Sequence, residues 1–239
     1  MIKKETGTTA YAQIKNDLLF KIQHDVYKIG DQLPTNNRLC EIYEVSRITV
    51  NRALEELERD GYIERKQGKG CFVKFKDIKQ NISKYYSFTE ELMNMGYTPG
   101  SKFISLKKTS HNSEVKELLD LKNDDKVFLL ERLRLANGVI VALDRSYLPA
   151  KFIPNFNKKM LVSGSLYQTL QDNYGFRPNH SEEIIEAISV TSDDSNLLHM
   201  APSSPALLVK RVSFYDDSKV EFNYRIVNSN VFKYRVSLK

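Results

Sequence analysis

The sequence predicts an α+β protein of two domains. The first is helical and ends in a β-hairpin; the second is a mostly antiparallel sheet with helices packed on it. Three observations lead there. Apolar residues recur at helical spacing three times within residues 11–60. A basic hairpin signal with glycines at its tip, "YIERKQGKGCFV", follows directly. Beyond residue 84, alternating segments are separated by turn pairs such as Asn137-Gly138, the mark of hairpins rather than βαβ units. The 239 residues suffice for two ordinary domains.

The first helix is predicted in "YAQIKNDLLFKIQHDVY", where Ile14, Leu18, Ile22 and Val26 lie four apart and share one face. Gly30 and Pro34 in "KIGDQLPTN" break it. Thr35 or Asn36 caps a second helix, expected to turn Leu39, Ile42 and Tyr43 inward. "EVS" is a tight turn. Ser46 then caps a third helix with Val50, Leu54 and Leu57 as its buried stripe, leaving Ile48, Asn51, Arg52 and Glu55 outward, and Gly61 stops it. From Arg65 to Lys76 there are five cations and no acid. Taken alone, that run is equally a solvated charged loop.

Helix, helix, turn, helix and basic hairpin, in that order, make a winged helix-turn-helix layout. The third helix can enter the major groove of double-stranded DNA with its N-terminal residues at the base edges. The hairpin can set Lys69 and the backbone of Gly68 and Gly70 against phosphates, where side chains would block approach. The DNA-facing residues expected from this layout are Thr35, Asn36, Asn37, Arg38, Ser46, Arg47, Thr49, Asn51, Arg52, Gln67, Gly68 and Lys69. Bulk charge does not single out this domain: residues 1–75 hold 13 basic and 11 acidic residues, the remainder 23 and 19. Placement carries the signal, not the overall pI of about 9.1.

The polar, lysine-rich stretch "KFKDIKQNISKYY" reads as a linker, residues 76–84, between domains at 1–75 and 85–239. "SFTEELMNMG" and "NSEVKELLDL" read as short helices. "KVFLLERLRLANGVIVALDRSYLP" reads as two strands around Asn137-Gly138, "SLYQTLQDNYG" as a helix stopped by Gly175, and "EEIIEAISV" as a strand. "SDDSNLLHM" is a capped helix, and the remainder gives strands with a turn at Asp216-Asp217. Arg132 and Arg134 alternate on one strand and point to one face. They either pair with Glu131 or another carboxylate at the surface, or hold a phosphate or carboxylate ligand.

No apolar run nears the roughly 20 residues that cross a bilayer, and the N-terminus lacks the apolar stretch of a signal peptide. A cytoplasmic protein without a membrane partner is therefore expected. Cys40 and Cys71 stand apart in apolar settings, and His24, His111, His180 and His199 are scattered, so neither metal nor cofactor is expected. "VSGSLY" lacks the glycine that a nucleophile elbow needs after its serine, and no residues suggest a nucleophile and base, so the chain reads as no enzyme. A DNA binder with no ligand is the other rival; the paired arginines speak against it.

"YAQI…LPTNNRLC…VSRITVNRALEELERDGYI…GKGCFV" resembles the DNA-binding domain of the GntR family of bacterial regulators throughout residues 11–73. The family often has DNA-contacting arginines where this chain has Asn37 and Asn51, and only Arg47 of that trio is kept. Asparagine suits adenine as arginine suits guanine. "SFTEELMNMG", "ERLRLANG", "DRSYLP", "SLYQTL", "KRVSFYDD" and "VEFNYRI", in that order, resemble the UTRA effector-binding domain of the HutC subfamily. The resemblance implies a chorismate-lyase-like fold, a homodimer joined through its sheet on inverted-repeat operator DNA, and most often repression released by a small effector, a sugar phosphate in some relatives. It implies a phosphate held by Ser87, Phe88, Thr89, Arg132, Arg134, Ser165 and Tyr167. The sugar end would meet Asp144 and Glu221, with Tyr224 nearby. Many relatives have glutamate where Asp144 stands.

Overall fold

The computed structural model describes residues 9–23, 26–75, 78–81, 87–110, 112–162 and 164–235, and the chain divides into two compact units, 1–77 and 78–239. The first unit holds α1 (Ala10–Gln23), α2 (Asn36–Tyr43), α3 (Arg47–Arg59) and the hairpin β1 (Ile63–Lys66) and β2 (Gly70–Val73). Ile14, Leu18 and Ile22 of α1 meet Leu39 and Tyr43 of α2 and Val50, Leu54 and Leu57 of α3, with Ile63 and Val73 closing the core. Cys40 and Cys71 pack against its edge. Thr35 caps α2 by accepting from the Arg38 N–H, and Ser46 caps α3 by accepting from Thr49.

Two expectations fail here. α1 stops at Gln23, so Val26 lies outside its face and is 61% exposed. Ile42 is 43% exposed because short α2 buries only Leu39 and Tyr43, a stripe too narrow to take in a third side chain. The turn between α2 and α3 depends on Glu44, whose left-handed φ of 54° is sterically costly for a side-chain-bearing residue and is held by its N–H donating to the Cys40 carbonyl. In the hairpin Gly70 has φ 107°, and a Cβ there would sit 2.7 Å from Gln32 Nε2, which itself donates to the Lys69 carbonyl at 2.7 Å. Glycine is thus favoured by the backbone conformation, and a side chain there would also displace the Gln32 amide from the Lys69 carbonyl.

The second unit begins with β3 (Ile78–Asn81), which pairs in parallel with β10 (Phe232–Arg235). Four residues of the expected 76–84 linker are therefore strand. Ile78 and Phe232, opposite each other, are buried, which gives this segment an apolar anchor that a solvated linker lacks. Residues 76–77 and 82–84 of that linker lie outside the described residues.

The main sheet comprises β4 (Pro99–Thr109), β5 (Val127–Ala136), β6 (Val139–Pro149), β7 (His180–Ser189), β8 (Pro205–Tyr215) and β9 (Ser218–Val227). Its order is β4-β5-β6-β9-β8-β7, all neighbours antiparallel. The expected hairpins at Asn137-Gly138 and Asp216-Asp217 join β5 to β6 and β8 to β9. β4 was not expected: apart from the exposed Lys102, Lys107 and Lys108 its residues are all partly buried, so no clean two-residue period marks it.

α4 (Phe88–Asn94), α5 (Ser113–Leu118), α6 (Leu166–Tyr174) and α7 (Ser192–Leu198) pack on the sheet. One face joins Phe128, Leu130 and Leu148 to Leu166, Tyr167 and Leu170 of α6. On the other, Leu133, Leu143, Leu208 and Ile226 meet Leu198 of α7, and Val127 and Phe222 meet Val115 of α5. Among the described residues no helix is long and apolar enough to cross a membrane.

Candidate functional site

The first unit presents one polar face, built around the start of α3. Arg47 and Ile48 are exposed on its first turn, Ile48 at 80%. One turn on, Asn51 is clamped twice. Its side-chain oxygen accepts from Asn36 Nδ2 at 2.5 Å, and its carbonyl accepts from Arg65 of the hairpin at 3.2 Å. Arg65 is itself held by Glu58 at 3.3 Å. α2, α3 and the hairpin are thereby locked to one another at the residue expected to face a base. Asn37, Gln67, Gly68 and Lys69 are exposed, and among the described residues Arg47 and Lys69 make no ion pair.

Other expected contact residues are partly engaged. Thr35 and Ser46 spend their hydroxyls on the helix caps, and the Ser46 and Thr49 hydroxyls lie 3.0 Å apart. Arg38 pairs with Glu41 at 2.7 Å on the open surface, where such a pair is weak and easily exchanged for a phosphate. Arg52 lies over the Tyr11 ring at 4.0 Å, which draws it toward α1.

The second unit holds a partly open cavity of about 30 Å³, lined by Ser87, Phe88 and Thr89 at the start of α4, Ser165, Leu166 and Tyr167 at the start of α6, and seven residues of the sheet: Arg132, Arg134, Asp144, Arg211, Glu221, Asn223 and Arg225. The geometry follows from strand alternation. On β5, β6, β8 and β9 the residues that reach this cavity share one face by alternation, and they are polar in strands rich in apolar residues. The two helix starts close over it. Ser87 caps α4 in a reciprocal arrangement with Glu90, and Ser165 caps α6.

Charge is arranged unevenly inside. Arg225 grips Asp144 with two hydrogen bonds, 2.6 and 3.1 Å. Arg132 and Arg134 reach the same carboxylate only at 3.9 and 4.0 Å. Arg134 donates to Thr89 Oγ1 at 2.8 Å and lies 5.3 Å above the Phe88 ring, which Arg225 also covers at 4.2 Å. Arg211 is bound by Glu183 of β7. Tyr167 donates to Glu221 at 2.7 Å beside Ser213. Asp144 is committed to Arg225, which leaves Arg132 and Arg134 only distant ion pairs with it. Arg132 Nε and Nη1 and Arg134 Nε are buried with no hydrogen-bond partner among the described residues.

The proton affinities record the imbalance. Burial pushes Arg132 down, and burial together with the Arg132 charge pushes Arg134 down to about 9. Burial alone would raise Asp144; the Arg225 charge and hydrogen bonds outweigh it and hold the carboxyl low. Arg225 is correspondingly raised, its burial more than offset by Asp144. Burial, then the Glu221 charge, pushes Tyr167 up to about 12. Two buried guanidiniums with unmet N–H groups can take up an anion with several acceptor oxygens.

The structure thus gathers nine of the ten expected pocket residues in one cavity. Tyr224 departs: it follows Asn223 on β9, points to the opposite face and packs with the apolar clusters there. Asp144, expected to meet the sugar end, lies among three arginines as their shared counter-ion. Glu131, a possible partner of Arg132 and Arg134, points to the other face and pairs with Arg145 at 3.0 Å. Sequence reasoning missed Arg211, Asn223 and Arg225. The signal was present: "KRVSF" and "EFNYRI" carry the same polar alternation as "ERLRL".

Residues 10–73 match the profile described as bacterial regulatory proteins, gntR family, and residues 94–233 match that of the UTRA domain. The HTH-type transcriptional repressor NagR of Bacillus subtilis (strain 168) is 27% identical over 213 residues, covering 89% of this chain and 87% of that one. The probable fructoselysine utilization operon transcriptional repressor of Escherichia coli (strain K12) is 28% identical over 209 residues, 87% and 86% of the two chains. Among solved structures, PhnF from Mycobacterium smegmatis shares the fold with a TM-score of 0.72 at 24% identity, over 97% of this chain and 99% of that one.

Proposed function

The chain belongs to the gntR family of bacterial regulatory proteins and carries a UTRA domain, and from that premise we propose that it represses a catabolic operon until a small phosphorylated sugar releases it from DNA. It is a DNA-binding transcriptional regulator and not an enzyme, as its two domains and its relatives are. The finer reading is a HutC-type homodimer on an inverted repeat, acting in the cytoplasm. A single recognition helix reads only a few base pairs, too few to mark one site in a genome, so two are needed.

The observation that carries the effector class is the pair of buried, under-satisfied arginines. A phosphate dianion supplies acceptors for Arg132 Nε and Nη1 and Arg134 Nε at once, and N–H groups at the capped start of α4 add donors. The remaining polar lining, Glu221, Asn223 and Tyr167, offers acceptors and donors to sugar hydroxyls. Asp144 then serves to keep three arginines in place rather than to read the sugar. Effector binding favours a dimer whose recognition helices no longer match the half-site spacing. A 100-fold loss of DNA affinity needs a coupling of about 2.7 kcal/mol, an ordinary allosteric magnitude.

A thermal-shift screen of hexose and pentose phosphates, each beside its unphosphorylated sugar, tests this reading. At 100 times its Kd a true effector adds about 2.7 kcal/mol to the folded state. Stabilisation by a free sugar as large as by its phosphate, or by none of the panel, contradicts the effector class.

A further inference from the structure

We propose that Ile48 reads the 5-methyl group of a thymine in the major groove, and so fixes one A·T pair in each half-site. This rests on the reading of α3 as the recognition helix. Ile48 is the second residue of α3 and is 80% exposed, while Val50, Ala53, Leu54 and Leu57 bury the opposite stripe. Its neighbours on the outward face are polar or charged: Arg47 before it, Asn51 and Arg52 one turn on, Glu55 after them. Apolar contact with a partner of matching chemistry would remove that aliphatic surface from water.

The surroundings specify the partner. Arg47, which adjoins it, makes no ion pair among the described residues and sets a positive charge beside it, which suits a phosphate-lined groove. Asn51, three residues on, is fixed by Asn36 and by Arg65, so the helix start is a rigid platform. The Thr49 hydroxyl lies against that of Ser46, which leaves Ile48 as the apolar group in the first turn. The one apolar feature that base pairs present in the major groove is the thymine methyl. A β-branched side chain in a helix keeps essentially one rotamer, so ordering it against that methyl costs little entropy.

The test uses the full chain. Duplexes are enriched from random sequence by the wild type, and each thymine of the enriched half-site is replaced in turn by deoxyuridine. That change removes only the methyl and keeps the pairing to adenine. One replacement should weaken wild-type binding roughly four-fold, the equivalent of about 0.8 kcal/mol for one buried methyl. The same replacement should leave the affinity of Ile48→Ala unchanged, and Ile48→Val should retain part of the effect. Ile48→Ala should melt like wild type, because the side chain is exposed. The inference is overturned if no thymine shows the effect, if Ile48→Ala shows it undiminished, or if Ile48→Ala alters sedimentation while binding the same motif with the same affinity. If the wild type enriches no duplex, recognition by α3 fails together with it; enrichment without a methyl effect removes the inference alone.

Discussion

Replacing Arg132 by methionine should stabilise the ligand-free protein, against the usual expectation for a buried charged residue. Arg132 is 4% exposed, its Nε and Nη1 have no hydrogen-bond partner among the described residues, and its nearest carboxylate oxygen, on Asp144, is 3.9 Å from Nη2 and already committed to Arg225. Each unmet buried donor costs about 1–3 kcal/mol. Methionine fills similar volume without that cost, and substitutions of this kind gain roughly 1–4 kcal/mol where the ionic site was poorly compensated. About 2 kcal/mol would raise the melting midpoint of a unit this size by ~4–8 °C. The same variant should lose all stabilisation by the effector. Thermal denaturation with and without a hexose-phosphate panel reads both effects. A drop of 3 kcal/mol or more would refute the reasoning, since that is the mark of a broken, well-compensated ion pair and would make Arg132 a structural partner of Asp144.

Lys69→Ala should weaken binding to all duplexes about equally and lower the slope of log affinity against log salt by about one per bound hairpin, measured by titration at several salt concentrations. Asn51→Arg should shift the enriched motif toward guanine, with about 1–3 kcal/mol of discrimination at one position; it also removes the hydrogen bond from Asn36, so an unchanged motif would contradict base contact by this residue. Effector affinity should fall as pH drops below about 6, because the phosphate second proton returns there, while the arginines stay charged and Asp144, held low by Arg225, stays ionised. Calorimetry from pH 5 to 8 checks that direction; a flat profile would mean that the dianion is not what binds.

Much of the first unit was legible because its signals are local. Caps at Thr35 and Ser46, stripes four apart and glycines at Gly61, Gly68 and Gly70 each act within a few residues. The exceptions, Val26 and Ile42, fall where a helix is shorter than its apolar period suggests. The pocket was half legible. Arg132 and Arg134 announce themselves by alternation, but Arg225 meets Asp144 across 81 residues, through the β6–β9 pairing, which no local pattern encodes. Alternation along β9 sends Tyr224 away from the cavity, and the β8–β9 pairing sets Arg211 opposite Asn223 in it. The parallel pairing of β3 with β10 joins the two ends of the second unit and has no local signature either.

A phosphorylated ligand held by Arg132 and Arg134 should release the chain from DNA. Fluorescence anisotropy on an enriched duplex, titrated with sugar phosphates against wild type and Arg134→Ala, tests it directly. Both proteins should bind the duplex alike, one sugar phosphate should weaken wild-type binding by about 100-fold, and Arg134→Ala should not respond. Loss of DNA binding in Arg134→Ala, or release equal to wild type, would contradict it.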